Sequence, residues 1–497
     1  MTNFDRIVII GFSVAMIVVS FLIGLWSQKK ATSTKAYFGS TGMFGPFLTG
    51  LSSTAAVASA FALVGIPGIM YSVGNAMTFW MLSSAAFAMA YLILGKKVRA
   101  MAEIGEVASL GDISDLRFNN NRVIKLCMSI ILFLGCVAYL AAQIKAGAEL
   151  FSHLVGWTPL VSGFVIFGIL TIYMAVSGEV GGLLTQAFQG LVMVVAGLVI
   201  TVAFFRMAGS FGNVMNVVAE AGTVTSGEVA KEFSPDILNA WGYMPRVAAM
   251  TYMIIPILGT VGQPQVITRM YALKDPKDMP KLGLYTAISH TVVGLLTVVV
   301  AYGAFYLVGS GKIPPLVSAD SAIYAFADYS GLITQLFVYA AVLAAAMSSA
   351  SLFLSICTNI LVRDLPNSLG INFSEKNQMN FARGAMLVVG IASIFFSITQ
   401  GEMVAILGTF GWGTLMSATF PIFVLGLLWK RANEKGVMCG IVVALILNII
   451  SFLGFKWPGA LPWYVNVISI SMIVTVLVSL VTKTETLDQK VEAVIEL

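Results

Sequence analysis

The sequence predicts an all-α polytopic membrane protein of about thirteen transmembrane helices, and three observations carry that prediction. The first is composition: of 497 residues, 58% are hydrophobic and only 10% charged, with a mean hydropathy of +0.91, whereas soluble chains carry about 25% charged residues. The second is a succession of apolar stretches of about 20 residues, the length needed to cross a bilayer as a helix. The third is charge asymmetry. If the N-terminus lies outside, alternate loops hold 21 of the 28 Lys and Arg on the cytoplasmic side, six (Arg6, Arg206, Lys231, Arg246, Lys312 and Lys456) lie outside, and Lys145 alone falls within a segment. The positive-inside rule then orients the chain with its N-terminus out and its C-terminus in. Removing one span would invert every later loop, so the asymmetry also supports the count.

Taken in order, the predicted spans fall near 6–27, 45–72, 75–95, 122–152, 159–178, 183–206, 246–268, 283–308, 330–361, 380–399, 403–429, 436–455 and 462–482. The first is too long, and too poor in preceding positive charge, for a cleaved signal peptide, so it is expected to stay attached. The second is interrupted by Gly50, Gly65, Pro67 and Gly68, and the seventh by Pro256, Gly259, Gly262 and Pro264 in IIPILGTVGQPQV. The two interruptions lie five segments apart. That spacing is expected if 45–206 and 246–429 are inverted repeats, each opening on a broken helix, with 6–27 before them and the pair in 436–482 after. The longest extramembrane pieces are the external loop 207–245 and the cytoplasmic loops 96–121, 269–282 and 362–379, so the whole of 1–497 reads as one membrane domain. Within the loop 96–121, VASLGDISDLRF alternates apolar and charged positions like a short helix lying on the cytoplasmic face. The tail 483–497 is polar and expected to be mobile.

The net charge of +5 follows from topology and gives no reason to expect nucleic acid as a partner; the partners expected are the lipid bilayer and a small solute. Cys127, Cys136, Cys357 and Cys439 are scattered through apolar segments without paired spacing and read as packing residues. With only His153 and His290, neither a metal cluster nor a nucleophile triad can be assembled, which argues against an enzyme. Acids are scarce as well: Glu149 lies in the outer part of its helix, and Glu179 and Glu402 fall at segment ends, so a buried proton relay is not expected.

The informative run is LAAAMSSASLFLS, Leu343 to Ser355. A membrane helix satisfies its own backbone, so the hydroxyls of Ser348 and Ser349 are spare oxygens. They either let two helices pack closely through small residues or face an ion. In the second segment, GLSSTAAVASAFALVG from Gly50 would free carbonyls near Ala55 to Ala58 if it unwinds. Carbonyls from one broken helix and hydroxyls from a facing one make a plausible cage for a hard monovalent cation.

These stretches, with VSGEVGGLLTQAFQGLVM from Val176, GQPQVITRM from Gly262 and PIFVLGLLWKRANEKG from Pro421, resemble the sodium:solute symporter family, above all its proline-transporting branch. The similarity runs from about Lys35 to Gly440 with the family's order and spacing. It implies a LeuT-like core of ten helices in a 5+5 inverted repeat, one helix before and two after, and Na+-coupled symport of a small organic solute such as an amino acid or a small carboxylate. It implies a Na+ site made by the carbonyls of Ala55, Ala58 and Ala345 and the hydroxyls of Ser348 and Ser349. It maps solute contacts to Val57, Ser59, Ala60, Tyr139, Thr260, Gln263 and Pro264. Three departures stand out: Val57 replaces an aspartate of the proline-transporting members, Gln186 replaces an aspartate found before the QG pair in many members, and Gln265 replaces the histidine of GQPH. The aspartate at position 186 accompanies an additional sodium site in some members, so its absence favours a single coupling ion.

Lys145 has two readings: a charge facing the cavity, as counter-ion to a carboxylate or as a surrogate cation, or an outward-snorkelling lysine paired with Glu149 at i,i+4. Rival functions are a proton-coupled or uncoupled carrier of the same fold and a transporter-like solute receptor. The expected home is the plasma membrane of a bacterium.

Overall fold

The computed structural model describes residues 3–76, 78, 84–223, 233–399, 404–459, 461–483 and 487–497. Among them the chain is helical throughout with no named strand. Among the described residues, nine helices are long and apolar enough to cross a membrane, and a bent pair, Pro46–Val57 with Phe61–Val73, passes the same test as a unit broken by 53°.

In chain order these are α1 (Asn3–Ser27), α2 (Pro46–Val57) and α3 (Phe61–Val73), followed by the short α4 (Met89–Ile93), α5 (Gly95–Ile104) and α6 (Leu110–Arg117). Next come α7 (Arg122–Val155), α8 (Pro159–Ala208), α9 (Phe211–Ala221), α10 (Arg246–Gly259), α11 (Pro264–Ala272), α12 (Met279–Gly309) and α13 (Ala322–Ser330). The last are α14 (Leu332–Asn359), α15 (Glu375–Thr399), α16 (Val404–Thr419), α17 (Glu434–Phe452), α18 (Trp463–Val481) and α19 (Gln489–Glu496). The predicted span 75–95 falls partly on positions outside the described residues, as do Lys231 and Glu402.

Helix α8 joins two predicted spans. Its 50 residues would extend about 75 Å at 1.5 Å per residue, far more than one hydrocarbon core. Gly178, at φ 58° and ψ −151°, breaks it into halves of spanning length. Tyr37 wedges into this break, its hydroxyl donating to the Ala175 carbonyl at 2.9 Å. A Cβ on Gly178 would lie 2.4 Å from the Tyr37 carbonyl oxygen, so both the backbone conformation and the contact require glycine.

The centre of the molecule is α14, whose apolar window is wholly buried, whereas those of α1, α17 and α18 are only 33%, 33% and 28% buried and leave most of their surface for lipid. Helices α7 and α8 pack directly on α14, and α2 packs on α8 and α12. Gly190 allows the closest of these approaches, since a Cβ there would sit 2.3 Å from the Leu51 carbonyl of α2. The residues before α2 are tied to those after α11: the Met43 and Phe44 N–H groups donate to the Ala272 carbonyl, and the Lys274 N–H donates to the Phe44 carbonyl at 2.8 Å. The interrupted helices are therefore anchored to one another at one end.

Two expectations are corrected here. The tail is not free: α19 buries Val491, Val494 and Ile495, packs on α5, and sets Glu492 and Glu496 against Lys430 at 2.8 and 2.6 Å. Its i, i+3, i+4 apolar pattern gives it a face to dock, which overall polarity conceals. The segment 107–118 does not merely rest on a surface either. Capped by a reciprocal Ser109–Asp112 box, α6 is buried along most of its length. Ser109 donates to Asp364 at 2.6 Å, and Arg363 pairs with Asp112 at 3.1 Å; charges that look surface-bound in sequence are absorbed by partners on α14's extension.

Candidate functional site

The site begins where α2 stops. Ala58 leaves the helix at φ −76° and ψ 70°, and Ser59 N–H turns back to the Val57 carbonyl at 2.9 Å. In a continuous helix that N–H would bond Ala55, and the next would bond Ala56. Instead, Ala60 N–H donates to Gln143 Oε1 at 2.8 Å. The carbonyls of Ala55 and Ala56 are thus released from the helical ladder, and two hydroxyls of α14 meet them: Ser348 Oγ donates to Ala55 O at 2.8 Å, and Ser349 Oγ reaches Ala56 O at 3.4 Å. Ser348 Oγ also lies 3.1 Å from Ala345 O. All of these residues are buried.

The structure therefore brings Ala55, Ala345, Ser348 and Ser349 together, with Ala58 at the break; Ala56, within the predicted run Ala55 to Ala58 but not among the five assigned ligands, adds a further oxygen. The donor set is neutral oxygen, carbonyl and hydroxyl, with no carboxylate. Hard cations favour such ligands, and the lack of fixed negative charge suits a monovalent ion better than a divalent one. Among the described residues no cluster of His, Cys, Asp or Glu could hold a metal.

The proposed solute contacts converge next to this cage. Ser59 Oγ and Tyr139 Oη share a hydrogen bond at 2.6 Å, and Gln143, one turn beyond Tyr139 on α7, donates to the Tyr139 carbonyl at 3.2 Å while holding Ala60. The Tyr139 ring packs against Phe353 (4.6 Å between centroids) and Trp412 (6.2 Å). Gln263, where α10 and its terminal turn through buried Thr260 give way to α11 at Pro264, donates through Nε2 to the Trp412 carbonyl at 3.1 Å. Val57, Phe61, Phe87, His290 and Trp412 line an enclosed cavity of about 20 Å³, room for about one water molecule. Sequence reasoning missed Gln143, Phe87, His290 and Trp412. A histidine on an otherwise apolar stretch was a usable signal; the aromatic residues carried none.

A second buried cluster corrects one placement. Arg269 is not in a loop but within α11, and Glu179, at the segment end set by the Gly178 kink, is buried against it: Glu179 is 3% and Arg269 0% exposed, and the two pair at 2.8 Å. The kink at Gly178 turns Glu179 inward, and pairing allows the charges to be buried. Arg269 also donates to Gln186 Oε1. That oxygen accepts from Ser52 Oγ at 3.0 Å, while Gln186 Nε2 donates to Ser351 Oγ at 2.9 Å and Ser351 Oγ to Ser348 O at 2.8 Å. Position 186 thus holds a neutral amide against a guanidinium, and a chain of hydrogen bonds runs from α11 to the serine pair. Gln265 is buried, and neither of its side-chain polar atoms has a partner among the described residues. Lys145 lies 3.8 Å from Glu149, the pairing reading, and it does not line the cavity.

Two interrupted helices closing on a buried oxygen cage and a small occluded cavity, within an all-helical membrane body, define a membrane transporter. Residues 37–444 match the sodium:solute symporter family, and the chain belongs to that family. It is 27% identical over 485 residues to the osmoregulated proline transporter OpuE of Bacillus subtilis, covering 94% of this chain and 93% of that protein. It is 25% identical to the high-affinity proline transporter PutP of the same organism, covering 86% and 89%. A Na+-coupled sialic acid symporter in a substrate-bound outward-open state shares the fold at a TM-score of 0.77 and 19% identity, over 98% of this chain and 100% of that one.

Proposed function

We propose that this protein carries a small zwitterionic solute, an amino acid such as proline, together with one Na+ by alternating access, and that Na+ sits among Ala55, Ala58, Ala345, Ser348 and Ser349. The observation that carries this reading is the release of the Ala55 and Ala56 carbonyls by the break after α2 and their engagement by the α14 serine hydroxyls. Na+ entering there takes over oxygens that now bond each other and fixes α2 against α14. The solute contacts Val57, Ser59 and Ala60 follow on the same break, so ordering it for the ion orders it for the solute. The reverse holds equally, because coupling between two ligands is reciprocal. Of the remaining assigned contacts, Tyr139 packs against Trp412, which lines the cavity, and Gln263 bonds the Trp412 carbonyl; these contacts, with Thr260 and Pro264 at the second break, support the assignment.

The proposed architecture is thirteen crossings with a 5+5 inverted repeat, N-terminus outside and C-terminus cytoplasmic, in a bacterial plasma membrane. The division of α8 at Gly178 into two halves of spanning length and the two interrupted helices support it. A single coupling ion agrees with Gln186 bound to Arg269, where a carboxylate would otherwise be available to a second cation. One Na+ crossing 100 mV supplies about 2.3 kcal/mol, and a tenfold gradient adds about 1.4 kcal/mol. Together they concentrate a net-neutral solute several-hundred-fold, whereas a monoanion moved one-to-one keeps only the chemical part.

The test is uptake of labelled amino acids and small carboxylates into proteoliposomes with and without an inward Na+ gradient. The expected outcome is Na+-dependent accumulation that Ser348→Ala/Ser349→Ala reduces by at least tenfold. Accumulation indifferent to Na+ would transfer the assignment to a proton-coupled or uncoupled carrier.

A further inference from the structure

We infer that His290, together with the Trp412 indole, makes direct contact with the solute and decides which solutes are accepted; the inference rests on the symport reading of the same cavity. His290 is 2% exposed and Trp412 4% exposed. His290 Nδ1, Trp412 Nε1 and Gln263 Oε1 are buried polar atoms without a hydrogen-bond partner among the described residues. They come from three separate elements, α12, α16 and the break before α11, and His290 and Trp412 both face the cavity. Buried polar atoms in native proteins are overwhelmingly paired, and two unpaired ones on residues lining one cavity, with a third on Gln263, which bonds the Trp412 carbonyl, mark a place where a ligand completes the bonding.

The position of His290 is fixed by its neighbours. Its ring stands edge-on to Phe87 at 4.6 Å, and the preceding residue, Ser289, shares a hydrogen bond with Thr54 at 2.5 Å. His290 is thereby anchored to the helix whose broken end carries the ion cage. Packing alone would be served by phenylalanine or leucine, with no polar atom to satisfy. The complement of the unpaired set is specific: the indole N–H donates, His290 Nδ1 donates or accepts according to its tautomer, and the Gln263 oxygen accepts. The rest of the lining is apolar, including Val57, Phe61, Ile66 and Phe87. No charged side chain lines the cavity among the described residues; the nearby charges Glu179 and Arg269 pair with each other. As it stands the cavity has room for about one water molecule, so the solute reaches these groups when alternating access widens the site; the chemistry that then complements them is a compact zwitterion, with a carboxylate for the N–H donors, an amine or imine N–H for the Gln263 oxygen, and an uncharged body.

The experiment uses the full chain in proteoliposomes with L-proline and L-alanine as uncharged-body probes and L-aspartate and L-lysine as charged ones. His290→Phe keeps the ring packing and removes the nitrogens, and His290→Asn restores a polar group at the Nδ1 position. A Na+-dependent rise in melting temperature against choline, without solute, reports the ion cage separately. The expected result is Na+-driven uptake of proline or alanine but not of aspartate or lysine. His290→Phe raises the KM at least tenfold, His290→Asn stays within threefold of the intact chain, and the Na+-dependent melting shift is retained in both. If His290→Phe does not fold, Trp412→Phe serves as the second variant with the same expected rise in KM. An unchanged KM in the folded variant, uptake of the charged probes, or uptake of none of the four would overturn the inference. Loss of Na+ dependence in the intact chain would instead overturn the symport reading.

Discussion

At the scale of single residues, the Arg269–Glu179 pair makes the sharpest energetic statement. Both charges are withdrawn from solvent, and Glu179 Oε2 and Arg269 Nε have no partner among the described residues, so each depends heavily on the other. Removing one member leaves a buried charge uncompensated, which typically costs about 3–5 kcal/mol. Arg269→Ala is accordingly expected to lower the melting temperature in detergent sharply, while Glu179→Gln/Arg269→Gln recovers part of the loss. Equal destabilisation by the single and double changes would show that the pair is not a unit. The hydroxyls of Ser348 and Ser349 act differently. Their removal is expected to leave the fold standing and to remove the response to Na+, because the carbonyls they meet across the helix interface are ones the α2 break has already released.

At the scale of elements, the break after α2 frees backbone oxygens and the kink in α8 serves the packing. The Gly178 kink allows one continuous run of helix to serve as two crossings, and Tyr37 holds it. Gly178→Ala must place a side chain at positive φ and 2.4 Å from a backbone oxygen. Strain at such a position is about 1–3 kcal/mol before any clash is counted. The expected outcome is lower thermal stability together with loss of transport, since Glu179 is the next residue; wild-type melting in this variant would sink the argument. Much of this level was legible in advance. Gly262 and Pro264 marked the second break, but the first falls at Ala58, in the small-residue run between Gly50 and Gly65 and not at those glycines or at Pro67. The merging of two spans into α8 was not legible, because periodicity and apolarity are alike on both sides of a single glycine.

At the scale of the whole molecule, α19 joins the end of the chain to the loop after α16. Hydrogen bonds to Glu492 and Glu496 raise the Lys430 pKa from its ordinary 10.5, and Lys430 lowers that of Glu496 from 4.5. The raised base contributes below pH 10.5 and is lost as pH rises through its folded value; the lowered acid contributes above pH 4.5 and is lost as pH falls through its own. Docking is therefore expected to be flat from about pH 6 to 9. Salt acts instead, since at about 1 M the screening length falls to about 3 Å. Deleting 487–497 is expected to lower the melting temperature in dilute buffer, with the difference reduced but not abolished in concentrated choline chloride, because Val491, Val494 and Ile495 remain an apolar contact. A difference independent of salt would remove the ion pairs from the account.

The sequence by itself determined the properties that a one-dimensional pattern can hold. Apolar length set the membrane class, Gly262 and Pro264 marked where the second helix breaks, and the small-residue runs Ala55 to Ala58 and Ala345 to Ser349 marked the two backbones that meet at the first break. The tertiary structure alone decided which distant residues complete those features. Ser348 meets a carbonyl 293 positions away and Arg269 meets a carboxylate 90 positions away. Gln143, His290 and Trp412 become site residues only through the partners they find or lack across helix interfaces. Local periodicity reports which face of a helix is apolar; it does not report what that face is packed against, and the chemistry of this site lies in that packing.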